Sequence, residues 1–101
     1  MPLALDTAPL AISREGRTAV VTVDNPPVNA LSRALRQSLW DAAEALDADP
    51  TVDAVVLLCA GRTFIAGADV AEFGKAPEPP HLPDVVARIE AAQKPWVAAI
   101  H

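Results

Sequence analysis

Only one of the 101 residues is a cysteine, Cys59, and it sits inside an apolar run. A single thiol excludes an intrachain disulfide and supplies no metal-ligand spacing, so no metal site is expected and a reducing cytoplasm is the simplest setting. An excess of cations is missing as well. The formal net charge is −5, whereas nucleic-acid binders carry a basic face, so no nucleic-acid partner is expected. A small anionic ligand stays possible, because a few local cations suffice for it. No apolar run approaches the roughly 20 residues that span a bilayer. The opening Met1-Pro2-Leu3-Ala4-Leu5-Asp6 lacks the cationic stretch of a secretory signal, so a membrane partner is not expected either. Internal repeats are absent, and the one biased tract is proline-rich. With 51% hydrophobic residues, the composition suits one α/β domain and argues against disorder.

Residues 1–9 carry no periodic signal and read as a loose lead-in to a domain over 10–101. Leu10–Ser13 and Thr18–Val23 read as short strands around a polar turn, Arg14-Glu15-Gly16-Arg17. Asp24-Asn25-Pro26-Pro27 ends the second strand, because consecutive prolines remove ladder donors and hold the chain extended. Ser32 is a good N-cap for a helix from Arg33 to Leu46, with Leu35, Leu39, Ala42, Ala43 and Leu46 on one face. Arg36, Asp41 and Glu44 lie off that stripe. Ala54 to Ala60 is apolar without alternation, which predicts a parallel strand covered on both faces. A proline-rich loop, a helix from Pro83 or Asp84 to Gln93, and a strand from Trp96 to His101 complete the chain. The β-β-α-β-α-β order is that of a layered α/β fold, which is expected to be incomplete because the last apolar strand would lack its normal cover.

The stretch after the apolar strand is Thr63-Phe64-Ile65-Ala66-Gly67-Ala68-Asp69-Val70. Its small residues predict a tight turn with an accessible backbone, Gly67 being able to take positive φ. No side chain there is a plausible nucleophile, so chemistry at this turn would fall to backbone N–H groups. Asp69 reads as a helix cap rather than a base. Glu72, Asp84 and Glu90 read as solvated carboxylates, His81 as a loop residue, and Cys59 as a small core residue. Trp40 and Trp96 read as core or interface anchors.

Asn25-Pro26-Pro27-Val28-Asn29-Ala30-Leu31, Phe64-Ile65-Ala66-Gly67-Ala68-Asp69-Val70 and Lys94-Pro95-Trp96-Val97-Ala98-Ala99-Ile100-His101 stand in that order along the chain. Together these three segments resemble the enoyl-CoA hydratase/isomerase (crotonase) superfamily. The resemblance runs from about Ile12 to the end. The run from Ile65 to Phe73 is similar to the hydratase unit of bifunctional enzymes that also carry a 3-hydroxyacyl-CoA dehydrogenase. The resemblance implies the N-terminal part of a crotonase-like ββα spiral, acyl-CoA or enoyl-CoA thioesters as partners, and coenzyme A as part of the substrate rather than a tightly bound cofactor. It places one of two oxyanion-hole donors at the Ala68 N–H. Val28, Ala30, Ala66, Gly67, Asp69 and Val70 would contact the CoA portion, mostly through backbone groups.

The second donor and the catalytic glutamates of such enzymes lie beyond the position matching His101, so the 101-residue chain is expected to be inactive alone. A basic residue common after the Ala-Asp pair is replaced by Ala71 and Glu72. Arg62, Lys75 or a neighbouring subunit would then meet the CoA phosphates. Other readings stay open: Δ3-Δ2-enoyl-CoA isomerase, thioester hydrolase, or a non-catalytic CoA-binding or assembly module. Uncovered apolar faces would favour a homo-oligomer or self-association.

Overall fold

The computed structural model describes residues 10–25, 29–61, 64, 67–68 and 78–100, and of residues 67 and 68 the backbone alone. Strands β1 (Leu10–Glu15) and β2 (Thr18–Val23) form an antiparallel hairpin with Glu15 opposite Thr18. The turn therefore needs only Gly16 and Arg17, with Gly16 at φ 61°. Glycine at the first position of a two-residue turn matches the twist of the flanking strands. Arg14 and Glu15, expected in the turn, belong to the ladder instead.

After a two-residue strand β3 (Ala30–Leu31), helix α1 spans Arg33–Ala48. Ser32 caps it, its hydroxyl accepting the Leu35 N–H at 3.2 Å. The five stripe residues Leu35, Leu39, Ala42, Ala43 and Leu46 are all buried. The helix outlasts its apolar stripe by two residues because its end is capped from afar. The Lys94 ammonium donates to the Leu46 carbonyl at 2.6 Å and also to that of Asp49. A cation there also meets the negative end of the helix dipole.

Strand β4 (Ala54–Cys59) pairs in parallel with β2, and β6 (Trp96–Ala98) pairs in parallel with β4, giving the order β1-β2-β4-β6. Between β4 and β6 come β5 (Gly67–Ala68) and helix α2 (Leu82–Glu90). The parallel strands advance in one direction, so crossovers of one hand lay both helices on the same face. One hydrophobic cluster accordingly joins Val21, Val23, Val55 and Cys59 of the sheet to Leu35, Leu39 and Leu46 of α1 and Val85 of α2. Burying each such aliphatic side chain contributes about 1.5–3 kcal/mol.

The continuous apolar run of β4 predicted cover on both faces. Instead Val55 and Cys59 are buried while Ala54, Val56 and Leu58 are only half-buried. Val97, opposite Val56, is 58% exposed. Both helices sit on the other side, which is why this face is left partly open. Residues 1–9, expected as a loose lead-in, lie outside the described residues.

Two hairpin arginines hold the hairpin to the α1–β4 turn. Arg17 grips Asp53 with Nε–Oδ2 2.7 Å and Nη2–Oδ1 3.0 Å, and donates to the Pro50 carbonyl at 2.8 Å. Arg14 meets Asp49 at 2.5 Å and donates to the Thr51 hydroxyl at 2.6 Å. Hydrogen bonds from the Thr51 hydroxyl and N–H, then Arg14, hold the Asp49 carboxyl down to about 2. A carboxyl depressed by folding stabilises the fold above its unfolded pKa of about 3.9, and that contribution disappears as pH falls through the folded value. Urea unfolding of the chain and of Asp49→Asn checks this. The gap between their midpoints should be full at neutral pH and shrink as pH drops from about 4 to about 2; a gap independent of pH contradicts the assignment.

Candidate functional site: the paired β3 and β5 strands

Asn29 forces the chain out of β2 and into β3. It is the non-glycine residue with positive φ, 55°, among those described, and asparagine enters that region more readily than other L residues. It is also 3% exposed, so its carboxamide must find partners. Its Oδ1 accepts the Asn25 N–H at 2.8 Å and its Nδ2 donates to the Ala60 carbonyl at 2.9 Å. The Asn29 N–H donates to the Asn25 carbonyl at 2.8 Å, and Asn25 Nδ2 donates to the Ala30 carbonyl at 2.7 Å. Ala60 in turn donates to the Val23 carbonyl at 2.7 Å. The ends of β2 and β4 are thereby tied to the start of β3.

The chain leaves β4 through Gly61, at φ 83°. Gly67, expected as the pivot of a tight turn, is instead a strand residue. It pairs with Ala30, and Ala68 pairs with Leu31, both in parallel. Two of the three sequence signatures are therefore adjacent in space. Of the expected contact residues, Ala30, Gly67 and Ala68 come together. Val28, Ala66, Asp69 and Val70 lie outside the described residues, as do Arg62, Ala71, Glu72 and Lys75.

The hydrogen bonds around β3 decide which way the β5 amides face. In a parallel pair, one residue turns both its N–H and C=O toward the neighbouring strand and the next turns both away. Were Ala68 the inward residue, its N–H would bond to the Ala30 carbonyl and its C=O would take the Ser32 N–H. The Ala30 carbonyl already accepts Asn25 Nδ2 and, at 2.9 Å, the Ser32 N–H. Both of its lone pairs and the one Ser32 proton are committed. These commitments favour the other phase, with the Gly67 N–H toward the Asn29 carbonyl and the Leu31 N–H toward the Gly67 carbonyl, which would turn the Ala68 N–H away from β3.

The remaining candidates are placed as follows. Cys59 is buried in the core, Asp84 and Glu90 are exposed on α2, and His81 is the exposed residue before that helix. Trp40 and Trp96 pack half-buried against the core. Two features were not anticipated from the sequence. Asn25 and Asn29 form the lock just described, for which the Asn-Pro-Pro-x-Asn spacing and the tolerance of asparagine for positive φ were the available signals. Arg36, off the apolar stripe of α1, donates to the Leu31 and Pro80 carbonyls at 2.8 Å each and to the Glu78 carbonyl at 3.2 Å. No periodicity announces that.

Backbone donors at a strand end, with no nucleophile beside them among the described residues, suit the polarisation of a carbonyl. Comparison with known proteins identifies the family. The family model for enoyl-CoA hydratase/isomerase matches residues 13–101, and the chain belongs to this family. The peroxisomal bifunctional enzyme of Danio rerio is 44% identical over 82 residues, covering 81% of this chain and 11% of that protein. The peroxisomal fatty acid beta-oxidation multifunctional protein of Oryza sativa subsp. japonica is 44% identical over 91 residues, covering 81% and 12%. The crystal structure of an enoyl-CoA hydratase/isomerase from Pseudoalteromonas atlantica T6c superposes with a TM-score of 0.80 at 31% identity, over 91% of this chain and 38% of that one. The crotonase fold expected from the sequence is thereby established, and the chain spans a minor part of each of these relatives.

Removing the Asn29 lock separates its two roles. Asn29→Gly loses the carboxamide bonds and relieves the Cβ strain at positive φ, whereas Asn29→Ala loses the same bonds and keeps the Cβ there. Both should lower stability in urea, by about 1–3 kcal/mol for Gly and about 1 kcal/mol more for Ala. An Ala variant as stable as the Gly variant contradicts the backbone argument.

Proposed function

We propose that this chain is the acyl-CoA-gripping part of an enoyl-CoA hydratase acting in fatty-acid β-oxidation, with the Ala68 N–H as one of two donors to the thioester oxygen. The observation that supports the reading is the pairing of Ala68 with Leu31 beside an Ala30 carbonyl already bonded to Asn25 and Ser32, from which we infer that the Ala68 N–H points away from β3. The reading is also supported by family membership and by relatives that include a peroxisomal fatty acid beta-oxidation multifunctional protein. In the reaction, water adds across the double bond of a trans-2-enoyl-CoA and negative charge builds on the thioester oxygen. A fixed backbone donor costs no reorganisation at that moment and is worth roughly 2.7–4 kcal/mol.

Val28, Ala30 and the amides from Ala66 to Val70 would hold the adenine and pantetheine portions of CoA. Coenzyme A then arrives as part of the substrate, with no resident cofactor. Carboxylates outside these 101 residues would move the protons. The half-covered sheet face, with Val97 exposed, suits self-association or cover by further chain.

Intrinsic tryptophan fluorescence tests the reading by titration with butyryl-CoA and with free CoA, alongside loss of crotonyl-CoA absorbance. The expected result is saturable binding, tighter for the thioester, without turnover. Equal affinity for CoA would sink the thioester assignment. Turnover that scales with protein would sink the claim that the proton-transfer groups lie elsewhere.

A further inference from the structure

The stripe of α1 leaves Arg36 on its polar side, yet its guanidinium does not serve solvent. It donates to backbone carbonyls of two segments, one just before its own helix and one distant in sequence: Nη1 to Leu31, Nε to Pro80, and Nη2 to Glu78. Leu31 is the β3 residue whose N–H faces β5, so this contact lies at the ladder itself. Glu78 and Pro80 lie just before α2, where the chain returns after β5. Arg33, one turn earlier, behaves differently. It pairs with the Glu78 carboxylate at 3.0 Å, with both side chains largely exposed. A planar fork with five fixed donors can bridge carbonyls on separate segments; a lysine, one point charge on a flexible stem, cannot reproduce that geometry.

We propose that Arg36 is a positioning residue for the thioester site. Its fork holds β3 against the Glu78–Pro80 segment and, through the β3–β5 ladder, fixes the direction of the Ala68 N–H. The functional meaning rests on Ala68 as the thioester donor; the anchoring of the ladder does not.

Amide hydrogen exchange by NMR on the 101-residue chain tests the anchoring, using Arg36→Lys, which keeps charge and helix propensity, and Arg33→Gln as the control. Arg36→Lys should speed exchange at the Leu31 and Gly67 amides about tenfold. Val21 in β2, Leu57 in β4 and Leu39 in α1 should stay unchanged, and Arg33→Gln should leave the ladder amides unchanged. Unaltered ladder exchange, or acceleration spread evenly over sheet and helix, overturns the proposal.

In a second arm, the preference for butyryl-CoA over free CoA should fall about fivefold in Arg36→Lys. A preserved preference alongside a loosened ladder overturns the positioning role. A wild-type chain lacking that preference overturns the Ala68 reading instead, and exchange alone then decides the anchoring.

Discussion

The carboxamide of Asn29 is the contact on which the site depends. Its backbone takes a left-handed conformation and its side chain spends both ends at once, accepting from Asn25 and donating to Ala60. Burial makes those bonds obligatory, since an unpaired amide there would cost about 1–3 kcal/mol. Through Ala60 the lock reaches the end of β4, and through Asn25 it occupies the Ala30 carbonyl. That occupancy selects the ladder phase between β3 and β5. A hydrogen bond made on one side of a strand thereby sets the direction of an N–H on the next strand.

Around this centre, apolar burial supplies most of the stability and polar contacts supply the register. The stripe of α1 and the inward residues of β2 and β4 make one cluster. The Arg14 and Arg17 pairs are solvent-exposed, and such pairs add little stability. Their value is geometric, because they join the hairpin turn to the start of β4, where the Asp53 N–H donates to the Arg17 carbonyl at 2.7 Å. Lys94 works in the same manner at the same end of the sheet, where the entry to β6 caps α1. The third sequence signature is thus partly a helix cap.

Much of this was legible in the sequence, for physical reasons. Strand β2 and helix α1 announced themselves because a buried face imposes a period of two or of 3.6, and Ser32 marked the helix start. The uncovered face of β4 was not legible, because an apolar run states what a strand tolerates rather than what covers it. Gly67 was read as a turn because small residues permit both turns and close strand pairing; the positive φ belongs to Gly61. Arg36 was placed only as lying off the apolar stripe, because helical spacing locates the backbone of a long side chain and leaves its far end undetermined. The outward direction of the Ala68 N–H was beyond any sequence pattern, since it follows from bonds made by Asn25 and Ser32.

The central claim is that one backbone N–H, at Ala68, is held ready for a thioester oxygen. Replacing the Gly67–Ala68 amide by an ester removes that proton and also weakens the Gly67 carbonyl as an acceptor, an effect that the free-CoA control reports. Ligation of a synthetic segment at Cys59 makes the substitution accessible. Binding of butyryl-CoA and of free CoA would then be compared with the all-amide chain. The account predicts about two- to tenfold weaker binding of the thioester, the worth of one ordinary hydrogen bond, with CoA affinity unchanged. Unchanged thioester affinity, or equal loss for both ligands, would contradict it.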